Sequence, residues 1–275
     1  MNKRTTTNGS EAIKRRMAEG RGQGRGARYK PWLMVHDVAS KGLATRMKSP
    51  LNGRTYHLLS RLETDWLYAF HHLTGLVDVR EQFPLDLDET IQIAEDLGIS
   101  HPANPQTKEV CVMTTDFLLT RVVGLQESEM AVAIKPSADL GSNRVLEKLE
   151  IERVYWAARN TTWRILTERE LPCALIKNLR WISPHMDLPD SGQYSADQIN
   201  RIRLAMEPAI KDGSGSLVEI TSACDDRLGL KSGAALCVAR HLIGTGTWSV
   251  DLMIEIDTQK PIRLVSKQST YEIAA

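Results

Sequence analysis

The stretch Val110-Cys-Val-Met-Thr-Thr-Asp-Phe-Leu-Leu119 is mostly apolar and carries one acid, Asp116. A second apolar run, Met130-Ala-Val-Ala-Ile-Lys135, ends on a lysine. Gly124 and a polar stretch to Ser128 separate them, and Pro136 closes the second. This reads as two neighbouring antiparallel strands over 109–119 and 129–135. An apolar strand rarely carries an ionisable group without a partner, because an unpaired charge is costly to bury. Asp116 and Lys135 are therefore expected near one sheet edge, as a structural ion pair or as part of a site. Upstream, Leu59, Leu62, Trp66, Leu67 and Phe70 recur at helical spacing and predict a helix over 57–73 that contains Glu63. Acid on helix, acid on strand and lysine on the next strand is the layout of a metal-dependent DNA nuclease core. Glu63 also has a structural reading, since Ser60 and Glu63 match the capping box S-x-x-E.

The chemistry explains why these residue types belong together. Phosphodiester hydrolysis builds negative charge on the attacking water, the non-bridging oxygens and the leaving oxygen. Mg²⁺ prefers oxygen ligands and is held by a few carboxylates plus substrate phosphate. Bound there, it activates water and neutralises the leaving oxygen. A lysine alongside adds a fixed positive charge and can orient or help deprotonate the water. Glu63 and Asp116 are thus the candidate metal ligands, and Lys135 serves the nucleophile.

A formal net charge of +1 hides an asymmetry. Residues 1–50 hold twelve Lys/Arg against three Asp/Glu, a local +9, and 76–100 hold seven acids against one Arg, a local −6. The basic block invites a polyanion. Within it, 10–20 reads as a short helix with Ile13, Met17 and Ala18 on one side, stopped by Gly20. Then follows Gly20-Arg-Gly-Gln-Gly-Arg-Gly26. Gly22 to Ala27 formally match a dinucleotide fingerprint, but no strand precedes them, so that reading is rejected. A bendable basic segment that follows a phosphate backbone fits better, with Arg15, Arg16, Arg21, Arg25, Arg28 and Lys30 as candidate DNA contacts. The four cysteines form no C-x-x-C pair and read as thiols of a reducing cytoplasm. No apolar run approaches the roughly 20 residues of a membrane span, and the N-terminus has no apolar signal core, so a cytoplasmic protein is expected.

Three parts are expected: a basic Gly/Arg arm over 1–28, a catalytic body over 29–168 and a C-terminal domain over 169–275. The body adds a short strand over 78–83, a charged helix over 145–159 and a strand over 163–166. Residues 172–189 read as an irregular linker. Helices are predicted over 195–211, 216–228 and 231–242, then two strands over 247–255 and 263–267, which is a winged-helix order. The third helix carries only Lys231, Arg240 and His241, which is thin for reading bases, so protein docking suits it at least as well. The seven histidines show no metal spacing.

Several strings resemble the TnsA family, the endonuclease subunit of a heteromeric bacterial cut-and-paste transposase. They are Glu19-Gly-Arg-Gly-Gln-Gly24, His57-Leu-Leu-Ser-Arg-Leu-Glu63, Val79-Arg-Glu-Gln-Phe-Pro84, Met113-Thr-Thr-Asp-Phe117, Lys135-Pro136 and Leu146-Glu-Lys-Leu-Glu-Ile-Glu-Arg153. The resemblance implies an α/β, restriction-endonuclease-like mixed sheet flanked by helices, with Mg²⁺ as cofactor and Mn²⁺ able to replace it. It implies cutting at the 5′ ends of double-stranded transposon DNA, beside a DDE-type transposase subunit, TnsB, and an ATP-dependent regulator, TnsC, docked through the C-terminal region. It places the family's metal glutamate on Glu63, its aspartate on Asp116, its lysine on Lys135 and a further helix glutamate on Glu152. Where the family usually has Gln or an acid, this chain has Ala133, which offers no side-chain oxygen; the backbone carbonyl of Ile134 can still coordinate. Two readings stay open: an active nuclease with looser metal binding, or a catalytically impaired DNA-bound adaptor of the same complex.

Overall fold

The apolar runs on either side of Gly124 become the two middle strands of a sheet. The computed structural model describes residues 10–38, 43–104, 107–189 and 192–266. The chain divides into one unit of residues 1–67 and 74–170 and a second of 68–73 and 171–275. The first unit runs through helix α1 (Ser10–Ala18), strands β1 (Thr45–Lys48) and β2 (Thr55–Leu58), helix α2 (Arg61–Phe70), strand β3 (Leu76–Pro84) and helix α3 (Leu87–Asp96). Strands β4 (Thr114–Val123) and β5 (Gln126–Ile134), helix α4 (Asn143–Ala157) and strand β6 (Thr162–Leu166) complete it. The last residues of α2, from Tyr68 on, group with the second unit.

The main sheet has the order β3-β4-β5-β6. Its first two pairings are antiparallel and the third is parallel. A parallel neighbour needs a crossover, and α4 is that crossover. Phe117, Leu118 and Leu119 on β4, and Ala131, Val132 and Ala133 on β5, are all at most 1% exposed. Successive strand residues point to opposite faces, so the sheet is covered on both sides here. Helix α4 packs Tyr155 and Trp156 with Leu118 and Ala131, and Ile93 of α3 joins that cluster. The outcome is a mixed sheet flanked by helices, as the sequence predicts.

Several local expectations are corrected. The helix predicted from His57 starts at Arg61, because Thr55 to Leu58 pair with β1 and Ser60 caps the helix start. The strand predicted from Glu109 starts at Thr114, with Val110 only bridged to Ala103. Helix α3 lies in the acidic block and was not predicted; Asp86 caps it by accepting from the Glu89 N–H. In α1 the buried residues are Ala12 and Arg16, and Met17 is exposed. In α4, Leu146 is exposed and Glu152 is buried.

The second unit contains α5 (Cys173–Ile182), where a linker was expected, then α6 (Ala196–Asp212), α7 (Leu217–Leu228) and α8 (Ala234–Gly244), the three helices that were. Ser195 and Ser216 open α6 and α7 with capping boxes, and Gly213 and Gly229 close them in the left-handed conformation. The predicted hairpin does not form among the described residues, which stop short of Lys267. Its backbone groups bond elsewhere. Asn178 donates to Leu252 and Ile254 and accepts from Ile256, and the N–H groups of Leu217 and Val218 at the start of α7 bond Lys260 and Thr258. The winged-helix expectation thus keeps its helices and loses its wing. No helix among the described residues is long and apolar enough to cross a membrane.

Candidate active site

Four elements of the first unit, α2, β4, β5 and α4, bring the predicted residues together. Asp116 lies on β4 one residue before Phe117, which pairs with Val132, and so faces the end of β5. There its carboxylate Oδ2 accepts from the Ile134 N–H at 2.7 Å and from the Lys135 Nζ at 2.7 Å. Lys135 also donates to the Ile134 carbonyl at 2.9 Å, and its own N–H is held by the Leu166 carbonyl. The pair is not sealed: the Asp116 and Lys135 side chains are 13% and 32% exposed.

Glu63 plays both roles that the sequence left open. The Ser60 hydroxyl accepts from the Glu63 N–H, and the Glu63 carboxylate accepts from the Leu59 N–H at 2.9 Å, so it caps α2. The same buried carboxylate carries the charge of the site. Burial first, then the negative charge of Asp116, raises it well above the usual carboxylate range. Three residues on, Trp66 is wholly buried and donates to the Thr167 carbonyl at 3.1 Å, which ties α2 to the end of β6.

Glu152 on α4 is also buried, with the Thr115 hydroxyl donating to it at 2.8 Å and Trp156 donating in turn to Thr115. Burial, then Asp116, pushes it up to about 7. Burial alone would lower the Lys135 ammonium; Asp116, Glu152 and Glu63 outweigh it and raise it. Each group thus feels the others, and three carboxylates crowd one ammonium.

Among the described residues, no three His, Cys, Asp or Glu side chains form a ready-made metal cage. The donors available are the carboxylates of Glu63 and Asp116 and the Ile134 carbonyl. Oxygen donors with surplus negative charge suit a hard divalent cation, which would relieve the repulsion that raises Glu63 and Glu152. Ala133 is wholly buried and contributes no ligand.

Sequence reasoning missed Gln82. This residue of β3 is 2% exposed and holds a left-handed backbone, φ +48°, uncommon for a side chain with Cβ. The β3–β4 register skips it, pairing Glu81 with Phe117 and Phe83 with Thr115. Its amide donates to the Glu63 carboxylate at 3.4 Å and accepts from the Thr114 hydroxyl at 3.1 Å. No periodicity announces such a residue.

The predicted DNA contacts fare unevenly. Arg16 is wholly buried, beside the Trp32 ring and Asp37, and Arg21 is buried between Glu19 and Asp37. Both are corrected from DNA contacts to structural cations, because both are buried and face Asp37 inside the fold. Arg25 is exposed and paired with Glu127 and Glu129 at 2.8 Å each. Arg15, Arg28 and Lys30 are exposed. Nor is the Gly/Arg segment a loose arm. Gly22 donates to the Lys30 carbonyl, and a Cβ there would lie 2.2 Å from Cγ of Pro84, so only glycine fits.

Comparison with known proteins now decides the family. Residues 76–168 match the model of the TnsA-like endonuclease N-terminal domain, and residues 170–252 that of the TnsA endonuclease C-terminal domain. The chain belongs to the TnsA family. It is 36% identical over 234 residues to the Transposon Tn7 transposition protein TnsA of Escherichia coli, covering 85% of this chain and 83% of that protein. The mixed sheet is accordingly the restriction-endonuclease-like sheet of the TnsA N-terminal domain.

Proposed function

We propose that this protein is the Mg²⁺-dependent DNA endonuclease subunit of a Tn7-like transposase, cutting the 5′ ends of the transposon during excision. The observation that carries the reading is the Asp116–Lys135 contact at 2.7 Å, with Glu63 and Glu152 close enough to raise and be raised by it. Glu63, Asp116 and the Ile134 carbonyl would hold Mg²⁺, or Mn²⁺ in its place. A divalent cation here supplies charge for the leaving oxygen and acidifies the attacking water. Lys135 holds its ammonium beside Asp116, where it steadies negative charge growing on the phosphate and orients the nucleophile. Glu152 keeps Lys135 charged. A DDE-type subunit of the TnsB kind would cut the other strand, and an ATP-dependent regulator of the TnsC kind would dock on the C-terminal unit.

The test is nicking of transposon-end DNA in Mg²⁺ with the DDE-type partner present. Asp116→Ala should abolish 5′-end cutting and leave complex assembly and the folded state intact. Unfolding of that variant would make Asp116 a structural residue and sink the proposal. Ala133, buried and without an oxygen donor, favours a second reading, a DNA-bound adaptor. Absence of nicking from both the unaltered chain and Ala133→Gln would select the adaptor.

A further inference from the structure

Between Asp37 and Glu63 the sequence runs 25 residues without one Asp or Glu and with five Lys/Arg. Most of that stretch is the β1–β2 ribbon and its turn. Register pairs Arg46 with His57 and Lys48 with Thr55. Alternation then sends Tyr56 and Leu58 inward, both wholly buried, and turns Arg46, Lys48, Thr55 and His57 outward. Arg46 and Lys48 are exposed.

Two features make this face more than a solvated edge. First, the ribbon is fixed to the main sheet. Glu81 of β3, wholly buried, accepts from the Arg54 guanidinium at 2.9 Å and from the His57 N–H at 3.0 Å, and Arg54 stacks over Tyr29 and Tyr56. The outward cations therefore stand on a rigid platform. Second, the ribbon leads straight into the site. The residue after β2 is Leu59, whose N–H binds the Glu63 carboxylate. Burial lowers the pKa of His57, and His36, Arg46 and Arg54 lower it further while Asp37 opposes them. Its Nδ1 accepts from the Val35 N–H, which leaves the other ring nitrogen as a neutral N–H donor. At the turn, Gly26 lies beside the Asn52 side chain.

We propose that the outward face of the β1–β2 ribbon, Arg46, Lys48 and His57, grips the phosphate backbone of duplex DNA next to the strand presented to Glu63 and Asp116. The inference rests on the nuclease reading and goes further, naming a DNA-binding surface outside the Gly/Arg segment. The face presents Arg46, Lys48 and one neutral donor on a stretch that itself carries no Asp or Glu. That is the chemistry of backbone positioning, which carries no sequence information.

Salt titration tests it with the full-length chain, a short labelled duplex and no divalent ion. Each phosphate contact contributes about 0.9 to the slope of log affinity against log salt. The double variant Arg46→Ala/Lys48→Ala should make the slope shallower by about 1.8 and weaken end and unrelated duplexes alike. Arg46→Lys/Lys48→Arg keeps the charge and should keep the slope. A double-alanine slope equal to that of the unaltered chain overturns the inference, as does failure of the unaltered chain to bind duplex. Nicking in Mg²⁺ separates the two claims. Ribbon-dependent binding without nicking retains the ribbon and removes the nuclease; nicking with a slope indifferent to the ribbon does the opposite.

Discussion

Gln82 shows what a single residue reveals when the backbone is strained. A left-handed conformation costs a residue with Cβ about 1–2 kcal/mol relative to glycine. The fold retains it here, and the amide that results points at Glu63. Gln82→Gly and Gln82→Ala both remove that amide, and both should slow nicking by about tenfold, the scale of one lost neutral hydrogen bond. Their stabilities should differ: the glycine variant should melt above the alanine variant, since only alanine keeps the strain. Equal melting temperatures would mean that the backbone relaxes and that Gln82 is not held. Glu63, Asp116, Lys135 and Glu152 were legible because each is a charge where pattern or resemblance marks it. Gln82 was not, since neutral amides are common and φ leaves no trace in a sequence.

At the scale of elements, α1 and the Gly/Arg segment are the clearest departure from expectation. Composition shows a surplus of arginine, but charge counting cannot see which guanidiniums find carboxylates. Asp37, the one acid in residues 31–40, takes both Arg16 and Arg21. Removing one partner of a buried ion pair costs about 3–5 kcal/mol, because the charge left behind has lost its water as well. Asp37→Ala should therefore lower the unfolding midpoint in urea markedly, with Arg15→Ala, on an exposed position, close to neutral. A mild effect of Asp37→Ala would mean that Asp37 is not what holds Arg16 and Arg21 in the fold. The strands β3 to β6 and the three late helices were legible, because apolar alternation and helical spacing are local signals. The missing wing was not, since its backbone partners are Asn178 and the start of α7, far away in sequence.

For the whole molecule, the most strongly shifted buried groups of the two units give opposite pH linkage, with His57 and His101 of the first unit, both lowered by burial, acting against Glu63 and Glu152. In the first, Glu63 and Glu152 have raised pKa values, Glu152 up to about 7. The native state then binds more protons than the unfolded chain between about pH 4.5 and 7, so this contribution weakens as pH rises through that window. In the second, burial lowers His71 to about 3 and His72 to about 4. Those imidazoles stay neutral in the fold, so their contribution is complete above about 6.5 and falls as acid protonates the unfolded chain. Scanning calorimetry from pH 7.5 to 5.5 should show two transitions moving apart, with the first unit gaining and the second losing. Mg²⁺ should raise the first unit's transition chiefly at the higher pH, where its ligands would otherwise repel each other. Parallel movement of both transitions would contradict this assignment of the buried groups. The capping role of Glu63 has an evolutionary consequence. A lineage that no longer needed to cleave DNA would still be penalised for losing this carboxylate, because the Leu59 amide would lose the acceptor that Glu63 gives it. Persistence of a glutamate at this position is therefore a poor sign of surviving catalysis.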